Sequence, residues 1–197
     1  MTESVIPEHR AIFEAERTYN AWTDRPVSDA TLRALYDLAR FGPTSLNSNP
    51  GRFLFLKSAE AKGRLGPHLS NANRDKTLSA PVCVVVAHDM HFHDRLPALY
   101  PLIPGAEKWF AGNDPLIERT AFLNGSLQGA YLIVAARMLG LGCGPMSGFD
   151  NDGVDREFFP DGRFKSNFLC NLGYGDPAGI RGARGPRLDF DEACEIL

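Results

Sequence analysis

One segment, residues 114–139, constrains the fold more than any other part of the sequence. Asp114 can cap a helix and Pro115 suits the first helical position, so the pattern predicts one long helix over this segment. The helix is apolar on most sides, and Gly125 and Gly129 interrupt its bulkier residues. A helix that is apolar all round is buried all round, and small residues let other backbones come close. We therefore predict a central helix that packs against its own sheet and against a partner subunit.

Length and charge indicate the class of protein. A chain of 197 residues, 44% hydrophobic and 23% charged, fits a single domain over residues 1–197. The formal net charge of −3 argues against a nucleic-acid partner. The start, MTESVIPEHR, lacks the order of a signal peptide, and charges interrupt the apolar segment before it is long enough to span a bilayer. We therefore expect a cytoplasmic protein with no membrane contact.

Three apolar runs predict strands at residues 53–56, 82–86 and 167–172. Helices are predicted at residues 7–15, 29–40 with Ser28 as N-cap, from 60 onward, 154–158, and from 190 or 191. This order does not alternate strictly between strand and helix. It predicts an α+β fold in which a mixed sheet has helices on both faces.

Residues 88–112 form an irregular connection with several prolines. A connection of this length is unusual in a compact domain, which leaves either a lid or an arm that wraps a partner. His88, His91 and His93 stand at its start. They are interpreted as part of a solvated turn, with a metal site as the alternative.

Glycines at positions 140, 142, 144 and 148 raise the question of a dinucleotide fold. A Rossmann fingerprint must follow a strand and open a helix, whereas these glycines follow a predicted helix. They are interpreted as a loop whose backbone can lie against a ligand ring. The sequence also contains neither a GxSxG nor a phosphate-binding GxxxxGK[ST] motif.

Two groups of cationic residues lie far apart along the chain. Arg17 is followed closely by Thr18 and Asn20, and Arg184 has Arg181 and Arg187 nearby. Arginine forks match phosphate oxygens, so the two groups together can cradle a phosphomonoester. The alternative is that both are solvated surface charge.

Six short motifs follow one another in order. They are Arg17-Thr18-x-Asn20-x-Trp22, Pro43-Thr44-Ser45-Leu46-Asn47-Ser48-Asn49-Pro50, Ala80-Pro81-Val82, Gly140-Leu141-Gly142 leading to Pro145-Met146-Ser147-Gly148-Phe149-Asp150, Gly173-Tyr174-Gly175-Asp176, and Gly182-Ala183-Arg184-Gly185-Pro186. Their content and order resemble those of the nitroreductase superfamily, and the resemblance spans essentially the whole chain.

The resemblance implies a mainly antiparallel mixed sheet, a homodimer, bound FMN, and NADH or NADPH as the hydride donor for a small-molecule substrate. It implies an active site between two subunits, with residues 88–112 near it. The flavin carries the chemistry, so no catalytic side chain and no metal is assigned. The resemblance also assigns binding residues. The phosphate and ribityl chain are assigned to Arg17, Thr18, Asn20 and Arg184. The polar edge of the ring is assigned to Ser45 and Asn47, and one ring face to the backbone of Pro145, Met146, Ser147 and Gly148.

Within the superfamily the chain is similar to the RutE-type malonic semialdehyde reductases and to NADH dehydrogenase-like FMN flavoproteins. This similarity implies reduction of malonic semialdehyde to 3-hydroxypropionate in pyrimidine degradation. The alternatives are a broad nitroaromatic or quinone reductase and a non-catalytic flavin-binding protein. Three positions depart from the family pattern: Asn20 replaces an arginine, Asn49 a glutamine and Gly182 a lysine. Arg181 or Arg187 is the expected source of the missing charge.

Overall fold

A computed structural model describes residues 7–14 and 16–197, without the side chains of residues 7–9 and 11. The helices are α1 (Pro7–Glu14), α2 (Asp29–Ala39), α3 (Ala59–Leu65), α4 (Asn71–Leu78), α5 (Leu96–Leu99), α6 (Asp114–Met138), α7 (Asn151–Phe158) and α8 (Phe190–Ala193). The strands are β1 (Gly51–Leu56), β2 (Val82–Asp89), β3 (Gly142–Met146) and β4 (Phe164–Gly173). All three predicted strands and all six predicted helices are present among the described residues.

The four strands form one sheet in the order β1-β2-β4-β3, with antiparallel neighbours throughout. Val84 lies opposite Phe55 on β1 and opposite Cys170 on β4. A parallel bridge between Thr18 and Cys143 extends the sheet beyond β3. The predicted α+β class, with a mixed but mainly antiparallel sheet, is confirmed.

Strand β2 is the centre of the core because helices cover both of its faces. Successive strand residues point to opposite faces. Val82, Val84 and Val86 therefore join one cluster, beneath α2 and α6. Cys83, Val85 and Ala87 join a second cluster that contains Leu65 of α3 and Val154 of α7. Helices lie on both faces of the sheet, as the order of elements predicted.

Helix α6 meets the sheet through its glycines. A Cβ atom at Gly129 would lie 2.5 Å from Phe168 Cε1, and one at Gly125 would lie 2.9 Å from His88 Cβ. Helix α6 also exposes five large apolar side chains. They are Leu116, Phe122, Leu123, Leu127 and Met138, which we name the open face of α6. The predicted packing of the helix against its own sheet is confirmed, and the predicted packing against a partner stays a prediction.

The main error in the sequence-based fold concerns the glycine run at 140–144, which was predicted as a loop. Gly142 and Gly144 instead belong to edge strand β3. A Cβ atom at Gly144 would lie 2.9 Å from the carbonyl oxygen of Tyr19. Glycine in a strand commonly marks the close approach of another backbone, and here that backbone is the Arg17–Trp22 segment.

Two smaller predictions were also wrong. Helix α4 occupies the polar stretch that was not assigned a helix, and its Thr77 is buried. Helix α6 is capped by Asn113, whose side chain accepts from the backbone N–H of Leu116, while Asp114 is the first helical residue.

The connection after β2 is tied to its own chain. Its Phe92, Leu96 and Phe110 are buried in a cluster with Ile117 and Ala121 of α6. The connection is therefore a packed cap on the first turns of α6 and not a free lid, and its predicted contact with a partner stays a prediction. It also exposes three large apolar side chains, Leu102, Ile103 and Trp109.

Two further observations concern cysteines and membranes. Cys83, Cys143 and Cys170 are free and buried, and burial raises the pKa of the Cys83 thiol to about 12. In the part of the chain that the structure describes, no helix is both long enough and apolar enough to cross a bilayer.

Candidate functional site

The two cationic groups of the sequence meet in a depression of about 270 Å³, which we name the arginine pocket. Five arginines and one glutamate contribute to its wall. The lining residues are Glu16, Arg17, Thr18, Asn20, Arg137, Arg181, Arg184, Gly185 and Arg187. The structure therefore brings together all four residues that the sequence assigned to a phosphate and its neighbouring chain. Both candidates for the missing charge, Arg181 and Arg187, are there as well.

The Arg17–Trp22 segment reaches the pocket because it lies along β3. The backbone N–H of Tyr19 donates to the carbonyl of Cys143 at 3.2 Å. Trp22 forms an antiparallel bridge with Gly175, just beyond β4. The segment is thus fixed at both ends to the sheet, and Arg17, Thr18 and Asn20 follow its edge.

Most of the pocket's arginines donate to backbone carbonyls. Arg184 Nη2 donates to the carbonyls of Glu14 at 2.6 Å and Glu16 at 2.7 Å. Arg17 belongs to the N-terminal segment, and its Nη2 donates to the carbonyl of Gly182 in the C-terminal segment at 3.1 Å. These bonds cross-tie the N-terminal segment to the C-terminal segment, so the pocket is assembled from both ends of the chain.

Arg137 is a member of the pocket that the sequence analysis missed. It lies in the last turn of α6, and its Nη1 donates to the carbonyl of Ile12 at 3.2 Å. The sequence offered no local signal, because Arg137 stands alone among apolar residues and is adjacent to neither cationic group.

The predicted ring-facing segment, residues 145–148, contains the last two residues of β3 and continues along the same edge. Gly148 accepts hydrogen bonds through its carbonyl from Asn73 Nδ2 at 2.9 Å and from the backbone N–H of Ser70 at 3.1 Å. The side chain of Met146 turns into the core, whereas Pro145 and Ser147 are exposed. The contact predicted between this backbone and one face of a ligand ring stays a prediction.

Helix α4 adds Asn73 and Lys76, neither of which was assigned to the site from the sequence. Burial lowers the pKa of Lys76, and the nearby charge of Arg181 lowers it further. The carbonyl of Lys76 accepts from Trp22 Nε1 at 3.2 Å and from Asn171 Nδ2 at 3.3 Å. The spacing of three residues places Asn73 and Lys76 on one side of a helix, and that signal was available once the helix itself was recognised.

Ser45 and Asn47 lie elsewhere in the same chain. The backbone N–H of Ser45 donates to Asn124 Oδ1, and Asn47 Nδ2 donates to the carbonyl of Leu99, both at 2.8 Å. Asn124 and Arg137 are 13 residues apart on α6, which corresponds to about 20 Å along the helix. Within one chain, the structure does not bring Ser45 and Asn47 to the arginine pocket.

The loop that carries Ser45 and Asn47 has a strained backbone. Leu46, Asn47 and Asn49 have φ angles of 55°, 47° and 43°. Non-glycine residues in this left-handed region are uncommon and cluster at functional sites. The strain supports a functional role for the loop.

The histidine group does not form one site. His88 is buried at the end of β2 beneath α6, and burial lowers its pKa against the opposing charges of Asp155 and Glu118. His91 and His93 lie on the following turn, each near Asp94. The solvated turn predicted for all three histidines is therefore wrong for His88, because β1, β4 and α6 enclose it.

Comparison with known proteins identifies the family. The model of the nitroreductase family matches residues 15–174, and the chain belongs to this family. A Burkholderia lata protein, provisionally named NADH dehydrogenase/NAD(P)H nitroreductase, is 60% identical over 94% of this chain and 94% of its own length. A Rhodopseudomonas palustris protein with the same provisional name is 55% identical over 97% and 96%.

Solved structures share the fold. A provisional nitroreductase from Exiguobacterium sibiricum, crystallised in complex with FMN, superposes with a TM-score of 0.84 at 21% identity, over 98% of this chain and 99% of that one. The nitroreductase ydfN of Bacillus subtilis, also provisionally assigned, superposes with a TM-score of 0.86 at 18% identity, over 96% and 99%.

Proposed function

We propose that this protein is an FMN-dependent oxidoreductase that uses NADH or NADPH to reduce a small molecule. The observation that carries the proposal is the continuity of one sheet edge. The arginine pocket lies at one end of β3, and the loop Pro145–Gly148 with α4 lies at the other. The names of the relatives and the FMN complex of a structural neighbour support it.

The residues on this edge fit FMN. A phosphomonoester needs several cationic donors, and five arginines line the pocket. From Cys143 to Ser147 the strand edge extends for about 13 Å, which leaves room for a ribityl chain between phosphate and ring. Thr18 and Asn20 offer a hydroxyl and an amide beside that path.

The ring end of the edge offers polar groups at a fixed position. FMN bound here would supply hydride transfer between a nicotinamide and a second substrate. The part of this chain is to hold and orient the ring. Helix α4 carries Lys76, whose carbonyl accepts from Trp22 and Asn171, and we assign its ammonium to the ring. Asn73 and the backbone of Gly148 add hydrogen-bonding groups at this end. A positive charge there would stabilise negative charge on the ring.

We further propose a homodimer whose site is shared between subunits. The open face of α6 exposes five large apolar residues on one helix, which is the kind of patch that marks an interface. The strained Ser45–Asn47 loop is about 20 Å along α6 from the arginine pocket of its own chain. A second copy docked on α6 supplies its loop to that pocket's flavin.

Two measurements test the cofactor assignment. The purified protein is expected to show oxidised flavin absorbance, or to quench FMN fluorescence on addition, and NADH or NADPH should bleach the flavin under anaerobic conditions. A protein that binds FMN without bleaching would be a flavin-binding module without turnover. A protein that neither carries nor quenches FMN would contradict the proposal altogether.

Riboflavin separates the phosphate contacts from the ring contacts. Arg17 offers charge-assisted hydrogen bonds of about 1.5–3 kcal/mol to a phosphate. Arg17→Ala should therefore weaken FMN by about 10- to 150-fold and leave riboflavin nearly unchanged. Equal weakening of FMN and riboflavin would show that Arg17 does not bind the phosphate.

For the substrate we propose malonic semialdehyde, reduced at its aldehyde carbon to 3-hydroxypropionate. The support is the RutE-type form of the motifs, including Pro145–Asp150. Each turnover takes a hydride from NAD(P)H and a proton from solvent. Malonic semialdehyde should reoxidise the reduced flavin faster than nitrofurazone does. Equal or reversed rates would favour a broad nitroaromatic or quinone reductase.

A further inference from the structure

Arg137 has a buried donor that the described residues leave unsatisfied. Its Nη1 donates to the carbonyl of Ile12, and its side chain lines the arginine pocket. Its Nε–H is buried and finds no acceptor among the atoms that the structure describes. Buried donors in native proteins are almost always paired, because an unpaired one costs the full loss of its hydration. The Arg137 guanidinium, which lines the pocket, therefore has hydrogen-bonding capacity that the described chain does not use.

Three of the other four arginines of the pocket also donate to backbone carbonyls. Arg184 donates to three backbone carbonyls, Arg187 to two, and Arg17 to the carbonyl of Gly182. Gly182 itself stands where the family pattern has a lysine, and its φ is +64° with open space around a Cβ position. Position 182 thus lacks the cation that the family pattern supplies there, while Arg181 lies beside it in the chain and α6 brings Arg137 from another direction.

We propose that Arg137 is a phosphate-binding residue that replaces the missing cation at Gly182. The inference rests on the proposed function and extends it to a residue outside every motif of the sequence. The Nε and Nη groups of arginine form a fork that fits two phosphate oxygens. The C-terminal end of α6 carries a partial negative charge that would repel a phosphate, and a cation in its last turn offsets that charge.

Glu16 is the competing partner for Arg137. It also lines the pocket, and its Oε2 is buried without a hydrogen-bond partner in the described part of the chain. If the two side chains pair with each other, Arg137 serves the fold only. If Arg137 binds phosphate, Glu16 is a nearby like charge that opposes the anion, so Glu16→Gln should tighten FMN and leave riboflavin unchanged.

The test is the affinity of the flavin-free full-length protein for FMN and for riboflavin, followed by flavin fluorescence. Arg137→Gln should weaken FMN by about ten- to a hundredfold and change riboflavin less than about twofold. Arg137→Lys, which keeps the charge and loses the fork, should fall between Arg137→Gln and the wild type. Arg119→Gln is the matched control, because Arg119 is an exposed arginine of α6 outside the pocket.

Two patterns would overturn the inference. In one, Arg137→Gln changes neither ligand or weakens both equally, and Glu16→Gln leaves FMN unchanged. In the other, the wild type binds FMN and riboflavin with equal affinity, and this result would also contradict the proposed phosphate site. If Arg137→Gln folds poorly, thermal unfolding of the flavin-free Arg137→Lys protein replaces it. Inorganic phosphate should raise the melting temperature of the wild type more than that of Arg137→Lys, and equal increases would overturn the inference.

Discussion

The carboxylate of Asp89 shows how one buried residue fixes the start of the cap on α6. Its side chain is 1% exposed, and it accepts from Arg52 Nη2 at 2.6 Å, from Arg163 Nε and Nη2 at 3.0 Å, and from the backbone N–H of His91 at 2.8 Å. Burial alone would raise the pKa of Asp89. The hydrogen bonds from Arg163 and His91 and the nearby positive charges outweigh burial and hold that pKa below its usual range.

Asp89→Asn should lower the free energy of unfolding by about 1–3 kcal/mol at pH 7. The cost is below that of a fully buried pair because both arginines are about one-third exposed. A carboxyl whose folded pKa is depressed contributes stability above its unfolded pKa, near 3.9, and loses it as pH falls through the folded pKa. In urea denaturation, the gap between wild type and variant should therefore close below about pH 4. A gap that is constant from pH 7 to pH 3 would mean that the charge of Asp89 is not the cause.

Among single residues, the sequence predicted the candidate site residues that belong to a motif and missed those that do not. Arg17 and Arg184 were found because each stands in a recognisable cationic group, and the fold brings both to one pocket. Arg137 and Asn73 gave no such signal, since their positions depend on where α6 ends and on whether α4 exists. Their proximity to the site is a property of tertiary packing.

Strand β3 is the element whose sequence is least typical of its structure. Two of its five residues are glycines and one is proline, a composition that propensity assigns to loops. The glycines are required because Tyr19 and its backbone lie directly against them. Strands with β-branched residues, such as β2, were predicted from local pattern, whereas β3 is defined by what packs upon it.

Gly144→Ala should displace the Arg17–Trp22 segment from β3. The new Cβ would lie 2.9 Å from the carbonyl oxygen of Tyr19, and backbone cannot rotate away as a side chain can. We expect a loss of about 1–3 kcal/mol in the free energy of unfolding, together with weaker FMN binding. Chemical denaturation and FMN titration measure the two effects.

Gly63→Ala is the matched control, because Gly63 lies in α3 and a Cβ atom there meets nothing within 4 Å. Alanine is the better helix former, so this variant should be stabilised by up to about 1 kcal/mol and bind FMN normally. If Gly144→Ala behaves like Gly63→Ala, the contact between Tyr19 and β3 does not matter for the site.

At the scale of the whole molecule, we predict that the protein forms a dimer through the open face of α6. Leu127→Glu places a charge in the proposed interface and should shift the protein from dimer to monomer in light scattering at micromolar concentration. Leu78→Glu is the control, because Leu78 is 38% exposed on α4 and Leu127 is 39% exposed on α6. An interface elsewhere would leave Leu127→Glu dimeric, and a wild-type monomer would refute the dimer itself.

Subunit complementation tests whether the site is shared. Arg17→Ala impairs the phosphate end of a site, and the double variant Ser45→Ala/Asn47→Gly impairs the loop that we assign to the partner's flavin. Glycine at position 47 keeps the left-handed backbone, where φ is 47°. In a mixed dimer of a shared-site protein, both defects fall in one site and the other site is intact.

Random reassociation of equal amounts of the two chains gives half mixed dimers, so about a quarter of all sites should recover. FMN binding at a concentration that saturates only intact sites should therefore rise to roughly one quarter of the wild-type signal on mixing, together with flavin bleaching by NAD(P)H. Each variant refolded alone is the baseline. If all contacts came from one chain, every site would keep one defect and mixing would restore nothing. The separation of about 20 Å between Asn124 and Arg137 along α6 is the reason to expect recovery.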